Sequence, residues 1–298
     1  MNHFDLGGSG APLHFLHANG YPPECYQPLF ELLKKQHHVF GMKLRPLWDG
    51  AKPDDLQSWH PLSDDLLRFL SIRASTSGLN TSLEKQSGPF DPPLSEKQVI
   101  GVGHSIGGIV TLRAALRDPK KFRAIILLDP VLFMPSYLVM WNLVRAVGLG
   151  EKLHPLISAA KRRRREFDDL ETVFLGYRNR GIFKYMSDES LRAYIEGITK
   201  PKAGGGFELA YSPEWESRIY LTGLRDFDLW RGLFKLETPT LIIRGAETDT
   251  FLEKAANLVK KKNPKIQIET MQNATHILPL EHPQEVAEII NKFLQDLQ

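Results

Sequence analysis

The sequence is nearly without cysteine: a single thiol, Cys25, in 298 residues. One cysteine cannot close an internal disulfide, so there is no disulfide framework and no cluster of thiolate metal ligands. Excess charge is missing too. The chain has 38 Lys+Arg and 35 Asp+Glu, a net +3, too little at this length to argue for nucleic acid. No apolar run approaches the roughly 18 residues of a membrane span. The opening MNHFDLGGSG has neither the basic nor the apolar region of a secretory leader, so a cytoplasmic chain is expected. No internal repeat of useful period is found.

What is there is ordinary globular material, 42% hydrophobic and 24% charged. The length suits one large α/β domain, with or without an insertion. It is enough to bury a full core without staples. Short β-branched and aliphatic runs alternate with amphipathic stretches, as in α/β architecture. Strands are predicted at 12–17, 37–43, 97–103, 123–129, 239–244 and 265–270. Helices are predicted at 25–35, 54–73, 105–117, 250–262 and 283–297. The continuous apolar run from Ala124 to Leu128 reads as a strand buried on both faces, the mark of a parallel sheet.

Two segments break the alternation. Residues 74–96 are rich in Ser, Thr, Gly and Pro and read as a surface loop. Residues 131–235 look helical and rich in Trp, Tyr, Phe and Arg. A parallel crossover needs roughly a dozen residues or more, so most of that span is expected to be an inserted helical subdomain. The expected division is a core of 1–130 plus 236–298 and a helical cap at 131–235.

The most informative string is Gly103-His104-Ser105-Ile106-Gly107-Gly108. It follows a predicted strand and opens a predicted helix, the context that a G-x-S-x-G nucleophile requires. The turn forces Ser105 into a strained backbone, and glycines remove the side chains that would clash. Its hydroxyl would stand at the C-terminal edge of the sheet, beside the N–H groups of a helix N-terminus.

With these residues the chain resembles the α/β-hydrolase family, its serine-nucleophile branch with a helical cap, over nearly all of its length outside 131–235. The implied fold is a mostly parallel, doubly wound sheet. His17-Ala18-Asn19-Gly20 stands where that family has a His-Gly-X segment, with Ala18 replacing the usual glycine. The resemblance implies an oxyanion hole from the backbone N–H groups of Asn19 and Ile106, and His17 itself reads as a structural imidazole. The N-terminus departs from that family: the strand before this loop starts near residue 12 where the family usually has one or two earlier strands, so the leading hairpin is expected to be shortened or absent, with six or seven strands in all.

A serine needs a general base, and the base an orienting carboxylate. His276, in Asn273-Ala274-Thr275-His276-Ile277-Leu278-Pro279-Leu280-Glu281, lies in the loop after the last predicted strand, where the family places its histidine. His282 beside Pro283 reads as a helix flank. Asp249, after strand 239–244, is the expected acid. Asp129 at the end of strand 123–129 is the rival, and Glu247 a third option. The implied reaction is acyl-enzyme hydrolysis of an ester or thioester with an apolar acyl or alcohol group, with no metal or organic cofactor. Alternatives on the same triad are C–C bond hydrolysis and acyl transfer, and beyond them a catalytically silent binding protein.

Trp48, Trp141 and Trp215 are the expected substrate-facing aromatics, although most cap aromatics must form the cap's own core. The basic run Lys161-Arg162-Arg163-Arg164-Arg165 reads as a solvated helix face balanced by Glu166, Asp168, Asp169 and Glu171 rather than a nucleic-acid site. Gly204-Gly205-Gly206 reads as a hinge or turn, and the string Phe207 to Glu216 resembles one in a group of bacterial hydrolases. A small-molecule partner, no nucleic acid and a possible homodimer complete the expectation. The charge is uneven. Residues 131–235 hold 17 Lys+Arg and 13 Asp+Glu, a net +4 that leaves −1 for the rest.

Overall fold

A computed structural model describes residues 1–76 and 98–297. Most of the loop expected at 74–96 therefore lies outside the described residues. The chain begins with β1 (His3–Gly7), β2 (Ala11–Leu16), α1 (Gln27–Leu33), β3 (His37–Met42), α2 (His60–Thr76), β4 (Val99–His104), α3 (Ile106–Arg117) and β5 (Phe122–Leu128). A mostly helical segment follows: α4 (Pro135–Ala146), α5 (Gly150–Leu153), α6 (Pro155–Lys161), β6 (Glu166–Phe167), α7 (Leu170–Arg178), α8 (Asp188–Ile198), β7 (Thr199–Pro201), β8 (Phe207–Leu209), α9 (Pro213–Thr222) and α10 (Phe227–Gly232). The chain then closes with β9 (Thr240–Gly245), α11 (Glu253–Lys262), β10 (Gln267–Met271), α12 (Leu278–Glu281) and α13 (Pro283–Gln295).

Seven strands form one sheet in the order β1-β3-β2-β4-β5-β9-β10. Only β1 is antiparallel, pairing with β3 at the edge; the other neighbours are parallel. The N-terminus thus supplies one strand before β2 where the sequence reading expected little or nothing. Its polar, half-exposed alternation is weak, as an edge strand's should be.

The central strands are buried on both faces, and their side chains divide by period two. In β5, Ile125 and Leu127 join the apolar cluster containing α2 and α3. Ala124, Ile126 and Leu128 join the cluster on the other face, with α1 and α13. This is why a run with no polar residue still forms an ordered strand. Both clusters run on into the inserted segment: Leu138, Trp141, Trp215 and Ile219 belong to the first, and Leu191, Tyr194 and Ile195 to the second. The insertion is therefore packed onto both flanks of the sheet's C-terminal edge.

That segment is not all helix. β6, β8 and β7 form a small antiparallel sheet. The three glycines at 204–206 close its β7–β8 hairpin, all with positive φ (91°, 105° and 73°), a conformation that favours glycine. Near the segment's end α10 packs on α3. Arg113 of α3, almost fully buried, meets Asp226 at 2.6 Å and Asp228 at 2.8 Å. So α10 acts as the crossover helix that returns the chain to the sheet at β9.

Candidate active site

Strand β4 and helix α3 meet at Ser105, whose φ of 58° and ψ of −118° lie outside the regions ordinary residues favour. A turn this sharp costs about 1–3 kcal/mol and persists only where surrounding packing enforces it. Here the enforcement is close approach. A side chain on Gly107 would begin 2.2 Å from the Leu16 carbonyl, and one on Gly103 would begin 2.3 Å from the Gly107 carbonyl. Both glycines let α3 start directly against β2 and β4. Within the turn, the Ser105 N–H donates to the Leu128 carbonyl at 2.9 Å, tying it to β5.

The Ser105 hydroxyl lies 2.9 Å from Nε2 of His276. His276 stands in the loop between β10 and α12. Its Nδ1 lies 2.7 Å from Oδ2 of Asp129. The hydrogen-bonded row is therefore Ser105, His276 and Asp129. Asp129 is fully buried, directly after β5, with a positive φ of 40°. Its Oδ1 accepts from the Gly245 N–H at 3.2 Å and its Oδ2 accepts from the Thr248 hydroxyl at 2.5 Å. Those donors offset the cost of holding a carboxylate in the interior.

The expectation of Asp249 as the carboxylate beside His276 is corrected by this geometry. Asp249 is exposed and its Oδ1 accepts from Thr250 Oγ1 instead. Glu247 is also exposed, taken up by Lys184 and Tyr185. The β9–α11 loop does reach the site, but it brings Thr248 to hold Asp129 rather than a carboxylate of its own. The signal was present in the sequence as the Leu128-Asp129-Pro130 string; what decided between the two aspartates is the tertiary path of the 245–250 loop.

His17 is fully buried. Its Nδ1 donates to the Ala18 carbonyl at 2.8 Å, and its Nε2 accepts the Leu44 N–H at 3.0 Å. Burial pushes its pKa down to about 4, so it is neutral at pH 7 and holds the loop after β2. Asn19 follows in that loop. Its side-chain amide donates to the Glu216 carbonyl at 3.1 Å, and its Oδ1 accepts from the Tyr211 hydroxyl at 2.9 Å. Ile106 opens α3, so the helix N-terminus and the 17–20 loop flank Ser105 together. His282 donates from Nε2 to the Asn273 carbonyl at 2.8 Å and immediately precedes α13, the helix flank that its place beside Pro283 predicts.

The three tryptophans are used differently. Trp141 and Trp215 are buried in the apolar packing of the inserted segment, Trp141 edge-on to His154 at 5.0 Å. Trp48 is half-buried, and its indole N–H donates to the Lys43 carbonyl at 2.6 Å. Four of the five basic residues are ion-paired, one to an acid expected to balance the run (Asp168) and three to acids elsewhere, while Arg162 donates to the Ser158 hydroxyl. Lys161 meets Glu151, Arg163 meets Glu216, Arg164 meets Asp168 and Arg165 meets Glu214. Of the acids expected to balance it, Asp169 caps α7 through the Thr172 N–H and Glu171 pairs with Arg192.

A mostly parallel sheet, a strained strand-to-helix turn at Ser105 and a histidine from the loop after the last strand together define the alpha/beta hydrolase framework. The chain belongs to the alpha/beta hydrolase family, whose model matches residues 15–289. It is similar to the type I acyl-CoA thioesterases mpaH and mpaH' of Penicillium brevicompactum, 28% identical over 116 residues. That stretch is 39% of this chain and only a quarter of the length of those relatives. Among solved structures it is similar to an E-2-(acetamidomethylene)succinate hydrolase, with a TM-score of 0.75 at 18% identity, over 98% of this chain and 94% of the other. A thioesterase domain from the curacin biosynthetic pathway superposes with a TM-score of 0.69 at 15% identity, over 97% and 93%. At such identities these structural likenesses speak for the fold alone. Among the described residues no helix is long and apolar enough to cross a membrane, and no group of His, Cys, Asp and Glu could hold a metal ion.

Proposed function

We propose that the chain hydrolyses a carboxylic ester or thioester through an acyl-enzyme on Ser105. The observation that carries this reading is the continuous row from the Ser105 hydroxyl through both nitrogens of His276 to Asp129, at 2.9 and 2.7 Å. His276 Nε2 takes the hydroxyl proton as Ser105 attacks the carbonyl carbon. Asp129 keeps the imidazole proton on Nδ1, leaving Nε2 free to accept, and stabilises the imidazolium that forms. The backbone N–H groups of Asn19 and Ile106 take the oxyanion, each such donor contributing about 2.7–4 kcal/mol. The leaving alcohol or thiol departs with the proton from His276. Water, deprotonated by the same nitrogen, then frees the acid and restores Ser105.

The thioester branch draws support from the acyl-CoA thioesterase relatives. C–C hydrolysis or acyl transfer would use the same three side chains and differ in what enters or leaves. The test is labelling by a fluorophosphonate, followed by a panel of p-nitrophenyl esters and acyl-CoA thioesters of graded chain length. Stoichiometric labelling that disappears in Ser105→Ala, with turnover on at least one class, is expected. An unlabelled wild-type chain at neutral pH overturns the reading and leaves the silent binding protein.

A further inference from the structure

His104, between Gly103 and Ser105, has no part in the reaction as described, yet it is fully buried and hydrogen-bonded at both ring nitrogens. Its Nε2 lies 2.8 Å from the backbone carbonyl of His276, and its Nδ1 lies 2.7 Å from the hydroxyl of Tyr26. The Tyr26 oxygen in turn accepts the N–H of Ala18 at 3.1 Å. Tyr26 closes the 3-10 turn Pro23–Tyr26 and is itself fully buried, its ring 4.8 Å from that of Phe15 and 4.9 Å separating Phe15 from Phe30.

Every proton in this row has one possible place. A carbonyl only accepts, so the His104 proton is on Nε2. Burial drives the His104 pKa well below the ordinary histidine value, so the ring carries a single proton and Nδ1 is a lone pair. Tyr26 must then donate to Nδ1, and burial holds its phenol well above the usual range, so that proton stays in place. Its remaining lone pair takes the Ala18 N–H. The row therefore runs in one direction, from Ala18 through Tyr26 and His104 to His276.

Its two ends lie in the two loops that flank Ser105, the 17–20 loop and the loop between β10 and α12. Ala18 precedes Asn19, and its own carbonyl is held by His17, so the Tyr26 bond fixes the other side of the same residue. His276 sits in a loop, and the bond from His104 anchors its backbone directly beneath the ring that faces Ser105. We infer that Tyr26 and His104 are positioning residues, a buried relay that sets the oxyanion loop and the base in one register around Ser105. The inference rests on the hydrolase reading of Ser105, His276 and Asn19. An apolar pair would pack the same space without desolvating three polar groups, so packing alone does not call for this chemistry.

The test uses Tyr26→Phe, His104→Leu and His104→Gln in the full chain. Tyr26→Phe keeps the ring and removes both bonds of its hydroxyl, while glutamine keeps a donor for the His276 carbonyl. For Tyr26→Phe and His104→Leu, the fluorophosphonate labelling rate and kcat are expected to fall by about 10–100-fold, the scale of a small misplacement of reacting groups. KM should stay within about threefold, because substrate contacts are untouched. His104→Gln should recover most of the loss, and the double variant should be no worse than His104→Leu alone, since both break one row. Losses that multiply, a glutamine no better than leucine, or wild-type labelling in variants that melt near wild type, each overturn the relay. If wild type itself does not label, the hydrolase reading fails instead. The relay is then still read by amide exchange at Ala18, which should quicken in His104→Leu although that residue does not touch it. Unchanged exchange there overturns it.

Discussion

At the scale of single residues, the site turns on which aspartate faces His276. Asp129 is buried, accepts from Gly245 and Thr248, and presents Oδ2 to Nδ1 of His276. Asp249 is exposed and points to Thr250. Asp129→Asn is therefore expected to cut kcat on any ester that wild type turns over by about 10⁴-fold, the cost of the wrong imidazole tautomer. Asp249→Asn should leave it within about threefold, as a surface change does. The reverse ranking in a kcat comparison would return the acid to the β9 loop. Thr248→Val leaves the Asp129–His276 bond standing and removes one donor to the carboxylate. It should lower folding stability by about 1–3 kcal/mol by urea titration, the cost of a carboxylate oxygen left short of a partner.

At the scale of elements, the site depends on how closely α3 is brought to the neighbouring strands. The nucleophile turn needs Gly103 and Gly107 because a β-carbon at either would strike a backbone carbonyl at 2.3 or 2.2 Å. Gly107→Ala must push α3 away from the end of β2. Its melting temperature should fall by several degrees, and labelling of Ser105 by at least about 100-fold, because Ser105 and its helix N-terminus move together. A Gly107→Ala chain labelled at the wild-type rate would mean that the turn tolerates a displacement the geometry does not allow.

At the scale of the molecule, the described interior holds several histidines that burial keeps neutral. His14 is pushed down to about 3 and His17 to about 4, while His104 lies well below the ordinary value. In each case the folded pKa is lower than the unfolded one, so the unfolded chain binds more protons as pH falls below the ordinary value of about 6.5. Stability is then fully present above that pH and is lost as pH drops towards 4. Each imidazole kept neutral in the fold contributes up to about 1.4 kcal/mol per pH unit to that fall. Urea unfolding between pH 7.5 and 4.5 should show this fall, and a slope below one proton would mean that these imidazoles are hydrated or charged in the fold.

The sequence by itself determined the strained turn at Ser105, the place of His276 after the last strand and the mostly parallel sheet. Each is a local pattern: a glycine-flanked serine between strand and helix, a histidine after the last strand, and runs such as Ala124 to Leu128 that only a doubly covered strand can use. The edge strand β1 left almost no trace, because half-exposed edges carry no strong alternation. The insertion was legible as a helical segment, but its small sheet was hidden in strands of two or three residues. The tertiary structure alone decided the carboxylate, the pairs of Arg163 with Glu216 and Arg165 with Glu214, and the row from Ala18 to His276. Each of these joins residues distant in sequence: 147 positions separate Asp129 from His276, and 78 separate Tyr26 from His104. Local propensity and periodicity act over a few residues, whereas a hydrogen bond between two loops is set by where the strands beneath them end.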